Sequence, residues 1–383
     1  MSALQGIRIV ELAERPAGEY CGKLLADMGA EVIKIEGPRG SPTRFLSPVV
    51  GEGSVLFAYL NTNKKSVDLD LATKDGVESL HAIIATADAV IDDHEEGWGA
   101  ALGLGREEAE RKHSSVVFCS ITPYGQGAPV ETRRDKSLNV FHASGWGYHT
   151  PTEADPDKPP LNGAGRYLVD YEGGLDAALC LVSSLVWKRR TGKGQFIDIS
   201  QKEVMVSRID SVLGRIMAGE VSPSRDRRAY DMQGPSAIFP CADGYVFLYA
   251  INRNHWNGLK KLMDHPAWME ELNENWLEFE VTKERIATMR QHFAEWVKTE
   301  TKDDVAARAQ KLGVPLVPVN DASDVQRSPQ FQYREYFQPL GGVLYPTVPY
   351  KLSATPAQLK RAAPKLGEHT AEVLAALRAE AGA

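Results

Sequence analysis

Between residues 7 and 122 the chain alternates short apolar runs with segments of helical period, and this alternation restricts the fold more than any other feature. Ile7–Leu12 (IRIVEL) suits a short buried strand. Pro16 to Met28 then sets Leu24 and Leu25 at helical spacing from Tyr20 and Cys21, and Gly29 supplies the left-handed residue that closes such a helix. Glu31–Ile35, Ala89–Asp92 and Ser115–Thr122 read as further strands, with helices over Lys74–Ala87 and Arg106–Arg111. Repeated strand–helix–strand units predict a parallel sheet with helices on both faces. In such sheets ligands bind where loops leave the carboxyl ends of the strands.

A loop region rich in Gly and Pro follows Pro123 and ends in PTEADPDKPPLNGAG (151–165). Asp170–Arg190 predicts a long helix with Leu175, Leu179, Val182 and Leu185 on one face. A turn at Thr191–Gln195 leads to a strand at Phe196–Ile199, and Gln201 to about Met217 predicts a helix leading away. Ala237–Pro240, the Ala242-Asp-Gly turn and Tyr245–Ala250 carry a hairpin signal. Amphipathic helices around His255–Met263, Lys283–Thr299 and Lys302–Leu312 complete a small α+β unit. The division expected is a large α/β domain from 1–200, a linker at 201–235, the small domain at 236–319, and a return segment at 320–383 that completes the large domain, closing with a helix at Thr370–Arg378.

The balance of 44 Lys+Arg against 51 Asp+Glu, a net charge of −7, offers no general attraction for nucleic acid or anionic membranes. A polyanionic ligand would need its own positive pocket. Cys21, Cys119, Cys180 and Cys241 are scattered without zinc-like spacing, and the histidines show no metal-ligand spacing. The cysteines are expected as reduced packing residues. The N-terminus lacks the apolar core of a signal peptide, and no run approaches ~18 apolar residues, so a cytoplasmic protein is expected.

Asp170 lies in Gly165-Arg-Tyr-Leu-Val-Asp-Tyr-Glu-Gly-Gly, where the long helix begins. An N-cap accounts for it taken alone. Gly173 and Gly174, however, cost a first helical turn roughly 1 kcal/mol each relative to Ala. They fit better where something approaches the backbone closely. A buried carboxylate can also attack a thioester carbonyl and form a mixed anhydride. The local segment leaves both roles open.

Motifs along nearly the whole chain go further. Leu4-Gln-Gly-Ile-Arg-Ile-Val-Glu-Leu, Ala17-Gly, and Leu25-Ala-Asp-Met-Gly-Ala-Glu-Val-Ile-Lys-Ile-Glu resemble the opening of class III CoA-transferases, the family of formyl-CoA transferase, carnitine CoA-transferase and α-methylacyl-CoA racemase. Asn61-Thr-Asn-Lys-Lys-Ser-Val-Asp-Leu-Asp-Leu, Ile121-Thr-Pro-Tyr-Gly-Gln, the Asp170 segment and Arg190-Thr-Gly-Lys-Gly-Gln-Phe-Ile-Asp-Ile-Ser match later signatures, as do Cys241-Ala-Asp-Gly-Tyr-Val and Leu366-Gly-Glu-His-Thr. The resemblance implies a Rossmann-like large domain built from both chain ends, and two chains threaded as interlocked rings. It implies a homodimer, with a heteromer of homologous subunits as the alternative. Coenzyme A and acyl-CoA enter as substrates beside an acceptor carboxylic acid, with no tightly bound cofactor. Asp170 matches the family's nucleophile, which becomes an acyl anhydride and then an aspartyl-CoA thioester.

The same resemblance assigns CoA contacts. Lys34, Arg39, Arg44, Lys64 and Lys65 cluster in the early loops, with Arg39 and Lys64 favoured for the phosphates. Arg15, Pro16 and Ala17 occupy the first strand–helix turn, and Leu69, Asp93 and Lys136 complete the expected contacts. Asp93 stands where relatives carry Asn, and Ala101 near where they carry Arg. This acidic segment, Asp92-Asp-His-Glu-Glu, is expected to disfavour phosphate. Racemases of the family place a histidine near Asp135-Lys136-Ser137; here His142 is the nearest, with a core or supporting role expected, so epimerisation is the lesser alternative. A weakly active partner subunit is the other. Arg225–Pro235, Trp146, Tyr148 and Tyr230 are candidate acyl-pocket residues.

Overall fold

The computed structural model describes residues 2–51, 53–129, 136–149, 165–219 and 234–381. Asp135, the segment 151–164, Arg225–Gln233 and Tyr230 lie outside them. Two compact units form, one from 1–229 with 336–383 and the other from 230–335. In the first, β1 (Arg8–Glu11), α1 (Pro16–Asp27) and β2 (Glu31–Glu36) precede a small ladder of β3 (Val49–Val50) with β4 (Gly53–Ser54). Next come α2 (Val55–Leu60), β5 (Lys65–Asp68), α3 (Lys74–Ala85) and β6 (Ala89–Asp92). Then follow α4 (Trp98–Ala101), α5 (Arg106–Lys112), β7 (Val117–Thr122), α6 (Ser137–Ala143) and α7 (Trp146–His149). The long α8 (Leu168–Thr191), β8 (Phe196–Ser200), α9 (Gln201–Val206) and α10 (Asp210–Met217) complete this stretch. The helix expected from Gln201 to Met217 is therefore two, broken where Ser207 caps α9 and turns its hydroxyl back to the Val204 carbonyl.

Six strands form a parallel sheet in the order β5-β2-β1-β6-β7-β8. Side chains alternate between two cores because strand residues point to opposite faces. Ile9, Ile91, Cys119 and Ile121 pack against α1 and α8 on one face. Val10, Val90 and Phe118 pack under α3 and the C-terminal helix on the other.

The inner face of α8 departs from expectation. Leu175 and Leu179 point outward, 46% and 65% exposed, while Gly173, Gly174, Ala177, Ala178 and Leu181 are buried. Small residues let α1 come close: a Cβ on Gly174 would overlap the Ala17 carbonyl oxygen and stand 3.2 Å from the Cys21 nitrogen. Gly174 thus admits a neighbouring helix, while Gly173 faces the Gln201 side chain.

The second unit holds β9 (Ala237–Cys241), β10 (Gly244–Leu248), α11 (Arg253–Leu262), α12 (Ala267–Glu270), α13 (Trp276–Phe279), α14 (Lys283–Val297) and α15 (Lys302–Lys311). It ends with β11 (Leu316–Val319), α16 (Ala322–Arg327) and α17 (Pro329–Tyr333). Its antiparallel sheet runs β11-β10-β9 over a core centred on Trp256, Trp276 and Phe293. The return begins at Tyr336 rather than near residue 320, because Lys302 pairs with Asp324 and keeps α16 in this unit.

From Tyr336 the chain forms β12 (Phe337–Leu340), β13 (Val343–Pro346) and α18 (Thr370–Ala381). It ties back to the first unit through Lys65–Glu372 (2.8 Å) and through the Thr370 hydroxyl, which accepts the Asp68 N–H (2.9 Å). Among the described residues no helix is long and apolar enough to cross a membrane.

Candidate active site

Strand order reverses between β1 and β6, so the loops leaving these neighbours diverge and open a crevice, as parallel sheets do at a switch point. Asp93, the residue after β6, fills its base. It is 1% exposed, and its carboxylate accepts the N–H groups of Glu14 (2.8 Å), Arg15 (3.0 Å) and Gly18 (3.0 Å). These are orphan donors at the start of α1, where the helix dipole favours negative charge. Burial pushes the Asp93 carboxyl up to about 7, against the pull of the His94 charge and the Glu14 N–H.

The rest of the acidic run is also engaged. Asp92 Oδ1 receives His94 Nδ1 at 2.7 Å, and His94 stacks on Trp98 with ring centres 3.6 Å apart. Burial opposes the imidazolium charge, but Asp92 and Glu14 carry its pKa up to about 9. Glu95 pairs with Arg15 at 3.7 Å, and Glu96 accepts the Gly127 N–H at 3.1 Å. The expected clash between this segment and a phosphate is corrected: Asp93 faces inward as a backbone anchor, and its neighbours are locally matched. Beside it a cavity of about 390 Å³ has Leu12, Val90, Phe118 and Phe196 in its walls and His94, Arg106 and Gln126 among its polar lining.

Four of the five expected phosphate ligands are committed elsewhere. Lys34 and Lys64 are fully buried and form a charge quartet with Glu11 and Glu19: Lys34–Glu19 is 2.8 Å, Lys34–Glu11 3.3 Å and Lys64–Glu11 2.7 Å. Burial opposes the Lys34 charge, yet Glu19 and Glu11 hold it above the ordinary amine range. Both ammonium groups also donate to carbonyls flanking the first turn, Lys34 to Ala13 (2.6 Å) and Lys64 to Glu19 (2.7 Å). They support the β1–α1 loop from beneath, so the phosphate role expected of Lys34 and Lys64 does not fit their placement. Arg44 forks onto Glu36 (2.7 and 2.6 Å), and Lys65 pairs with Glu31 and Glu372. Arg39 alone of the five is exposed and without a side-chain partner among the described residues. Leu69 belongs to the core, leaving only its backbone for a ligand. Pro16 and Ala17 are buried in the first turn of α1, and Lys136 is exposed at the start of α6.

Asp170 sits in the first turn of α8 rather than at its cap, which is Tyr167. It is 7% exposed, and Gln201 Nε2 donates to its Oδ1 at 3.3 Å. The Ser137 side chain is its other hydrogen-bond partner; burial raises its pKa, while Ser137, Gln201 and the Arg15 charge lower it. The close crossing of α1 and α8, with Tyr20 edge-on to Tyr171 at 4.8 Å, brings this carboxylate to the Arg15 turn. Such a carboxylate is poorly solvated and held by few donors, a state suited to nucleophilic attack. Ser137 and Gln201 escaped the sequence reading. Gln201 follows β8 directly, and its place at a carboxyl strand end was the available signal. His142 is exposed on α6 rather than set in the core. Among the described residues no group of three or more His, Cys, Asp or Glu could hold a metal ion.

Comparison with known proteins adds the following. The model of CoA-transferase family III matches residues 4–370. The succinate–glutarate CoA-transferase of Agrobacterium fabrum is 30% identical, over 98% of this chain and 95% of its own length. The succinyl-CoA:(R)-benzylsuccinate CoA-transferase subunit BbsE of Thauera aromatica is 29% identical, over 96% and 92%. A CAIB/BAIF family protein from Brucella suis superposes with a TM-score of 0.85 at 29% identity, covering 98% of this chain and 99% of that one.

Proposed function

This chain belongs to CoA-transferase family III and moves CoA between an acyl-CoA and a carboxylic acid, and we propose that Asp170 carries the transfer as its nucleophile. The observation that supports this most is the burial of Asp170 near the Arg15 turn, held among the described residues by Gln201, Ser137 and the helix start. The carboxylate attacks the thioester carbonyl and expels CoA thiolate, leaving a mixed anhydride. The thiolate then attacks the Asp170 carbonyl, releasing the first acid and forming an aspartyl-CoA thioester. The acceptor carboxylate attacks that carbon and expels the thiolate again. Thiolate finally attacks the acceptor's carbonyl in the second anhydride, which frees Asp170 and the new acyl-CoA. Burial serves this sequence by keeping water from the anhydrides.

The relatives above are named for succinate or succinyl-CoA, and this supports a dicarboxylic acyl-CoA as donor. Coenzyme A enters as part of a substrate. Arg39, Arg15 and Lys136 are the proposed CoA contacts at the surface, with the buried Pro16, Ala17 and Leu69 contributing backbone. The exposed stripe of Leu175, Leu179, Val186 and Trp187 on α8 supports a homodimer, for which the interlocked form is the expectation. A heteromer is the second reading, favoured by the subunit name of the Thauera relative. A cytoplasmic site of action completes the proposal.

The test is to incubate the protein with succinyl-CoA, trap with borohydride or hydroxylamine, and map the modified peptide. Modification at Asp170, lost in Asp170→Asn, is the expected result. Exchange of CoA that persists in Asp170→Asn would sink the assignment. Light scattering of the same sample reads the oligomer, and activity that appears only on adding a second homologous chain would replace the homodimer.

A further inference from the structure

The catalytic proposal leaves open what recognises the far end of the acyl group. Most cations around Asp170 are already matched. Arg15 faces Glu95 and the Asp93 loop, and Arg208 is held by Glu172 (3.0 Å) and Asp176 (2.6 Å) along α8. Arg166 differs. It stands two residues before α8, is exposed, and has no carboxylate partner among the described residues.

Two concavities meet at this side chain. A cavity of about 440 Å³ is lined by Ser47, Pro48, Leu56, Arg166 and Tyr167, so a guanidinium and a phenol stand with apolar side chains. Arg166 also shares a narrow cleft with Ser137, the hydrogen-bond partner of Asp170. Tyr167 feels both charges: burial raises its phenol, Arg166 draws it back and Asp170 adds to the rise. Cation and ring therefore share one cavity at the start of α8, and the cation's second cleft reaches Ser137, which hydrogen-bonds the nucleophile.

Which anion belongs there follows from the shape of the substrate. The phosphates of CoA lie a full pantetheine arm from the thioester, so a cation whose cleft reaches Ser137, the partner of Asp170, is placed for the acyl end. A planar guanidinium matches a carboxylate with two parallel N–H donors. We propose that Arg166 binds the distal carboxylate of a dicarboxylic acyl group, and so selects dicarboxylic over monocarboxylic thioesters. This rests on the acyl-aspartyl reading of Asp170.

The experiment compares succinyl-CoA with butyryl-CoA, which has the same four-carbon chain without the distal carboxylate. kcat/KM is measured for each, and the Asp170 adduct is trapped in parallel. The parent enzyme should prefer succinyl-CoA. Arg166→Leu should lower the succinyl-to-butyryl ratio roughly 10- to 100-fold, the range of a lost charged hydrogen bond. Arg166→Lys should recover part of it by restoring charge without the fork. Arg166→Gln, read with its thermal melt, separates loss of charge from loss of fold.

A ratio within twofold of the parent in Arg166→Leu and Arg166→Gln overturns the assignment. So does an equal slowing of both thioesters, which would place Arg166 on the CoA portion. An intact Asp170 adduct with an unchanged ratio removes only Arg166; absence of any adduct in the parent removes both readings.

Discussion

Replacing Gly174 with alanine tests the packing that delivers Asp170 to the crevice. The added Cβ would overlap the Ala17 carbonyl oxygen and meet Cys21 N and Tyr20 Cδ1 at 3.2 Å. Two of these obstacles are backbone, so α1 and α8 must part by roughly 0.5–1 Å to regain normal contact. Overpacking costs about 1–3 kcal/mol, at the upper end where backbone must yield. Alanine returns roughly 1 kcal/mol of helix propensity. The net expectation is a loss of ~2 kcal/mol, a fall in Tm of about 4–8 °C. The same displacement moves Asp170 from the Arg15 turn, and a misplacement of about 1 Å costs on the order of 100-fold in rate. Gly173→Ala is the matched control, since its Cβ meets Gln201 Cγ at 3.0 Å and Nε2 at 3.4 Å, atoms of a side chain that can rotate away. It should keep or raise Tm while slowing turnover, because Gln201 leaves Asp170. Thermal melts and initial rates on both variants decide the matter. A Gly174→Ala protein as stable and as fast as the parent would refute the close crossing as the device that positions the nucleophile.

Further outcomes follow from the charges. Lys64→Met leaves Glu11 buried without its 2.7 Å partner, and breaking a buried pair costs about 3–5 kcal/mol, visible as a large drop in denaturation midpoint. Arg39→Ala on the exposed loop should hold stability within about 0.5 kcal/mol while raising KM for acyl-CoA, so a variant in which stability falls instead would reverse the roles given to the two cations. The acid limb of the rate profile should lie above the ordinary aspartate range, because burial raises the Asp170 pKa and attack needs the ionised form. Arg15 lowers that pKa, so Arg15→Leu should move the limb to higher pH; a shift to lower pH, followed by rate measurements across the acid range, would contradict the placement of Arg15.

The sheet and its order of helices are legible because buried strands advertise themselves as apolar runs and their boundaries carry Gly and Pro. The face of α8 is less so. Leu175 and Leu179 outweigh Gly174, Ala177 and Ala178 on any scale of hydrophobicity, yet the smaller residues face inward because close approach to α1, and not side-chain bulk, makes that contact. Asp170 stands out by motif, but its partners Ser137 and Gln201 come from elements 33 and 31 positions away, and neither residue type is distinctive.

The cations show the deeper limit. Lysine is rarely buried without a partner, so three lysines and two arginines in early loops read naturally as a ligand surface. Glu11 and Glu19, which draw Lys34 and Lys64 inward, are ordinary in the sequence and become decisive only when β1, β2 and α1 are stacked. Asp93 reverses the same error: a carboxylate that would repel phosphate in the loop becomes, once turned inward, the acceptor that organises the turn. What a binding site can offer a polyanionic substrate is therefore the charge left after internal pairing. Among the described residues that remainder includes Arg39, Lys136 and Arg166, three exposed side chains far apart in the sequence.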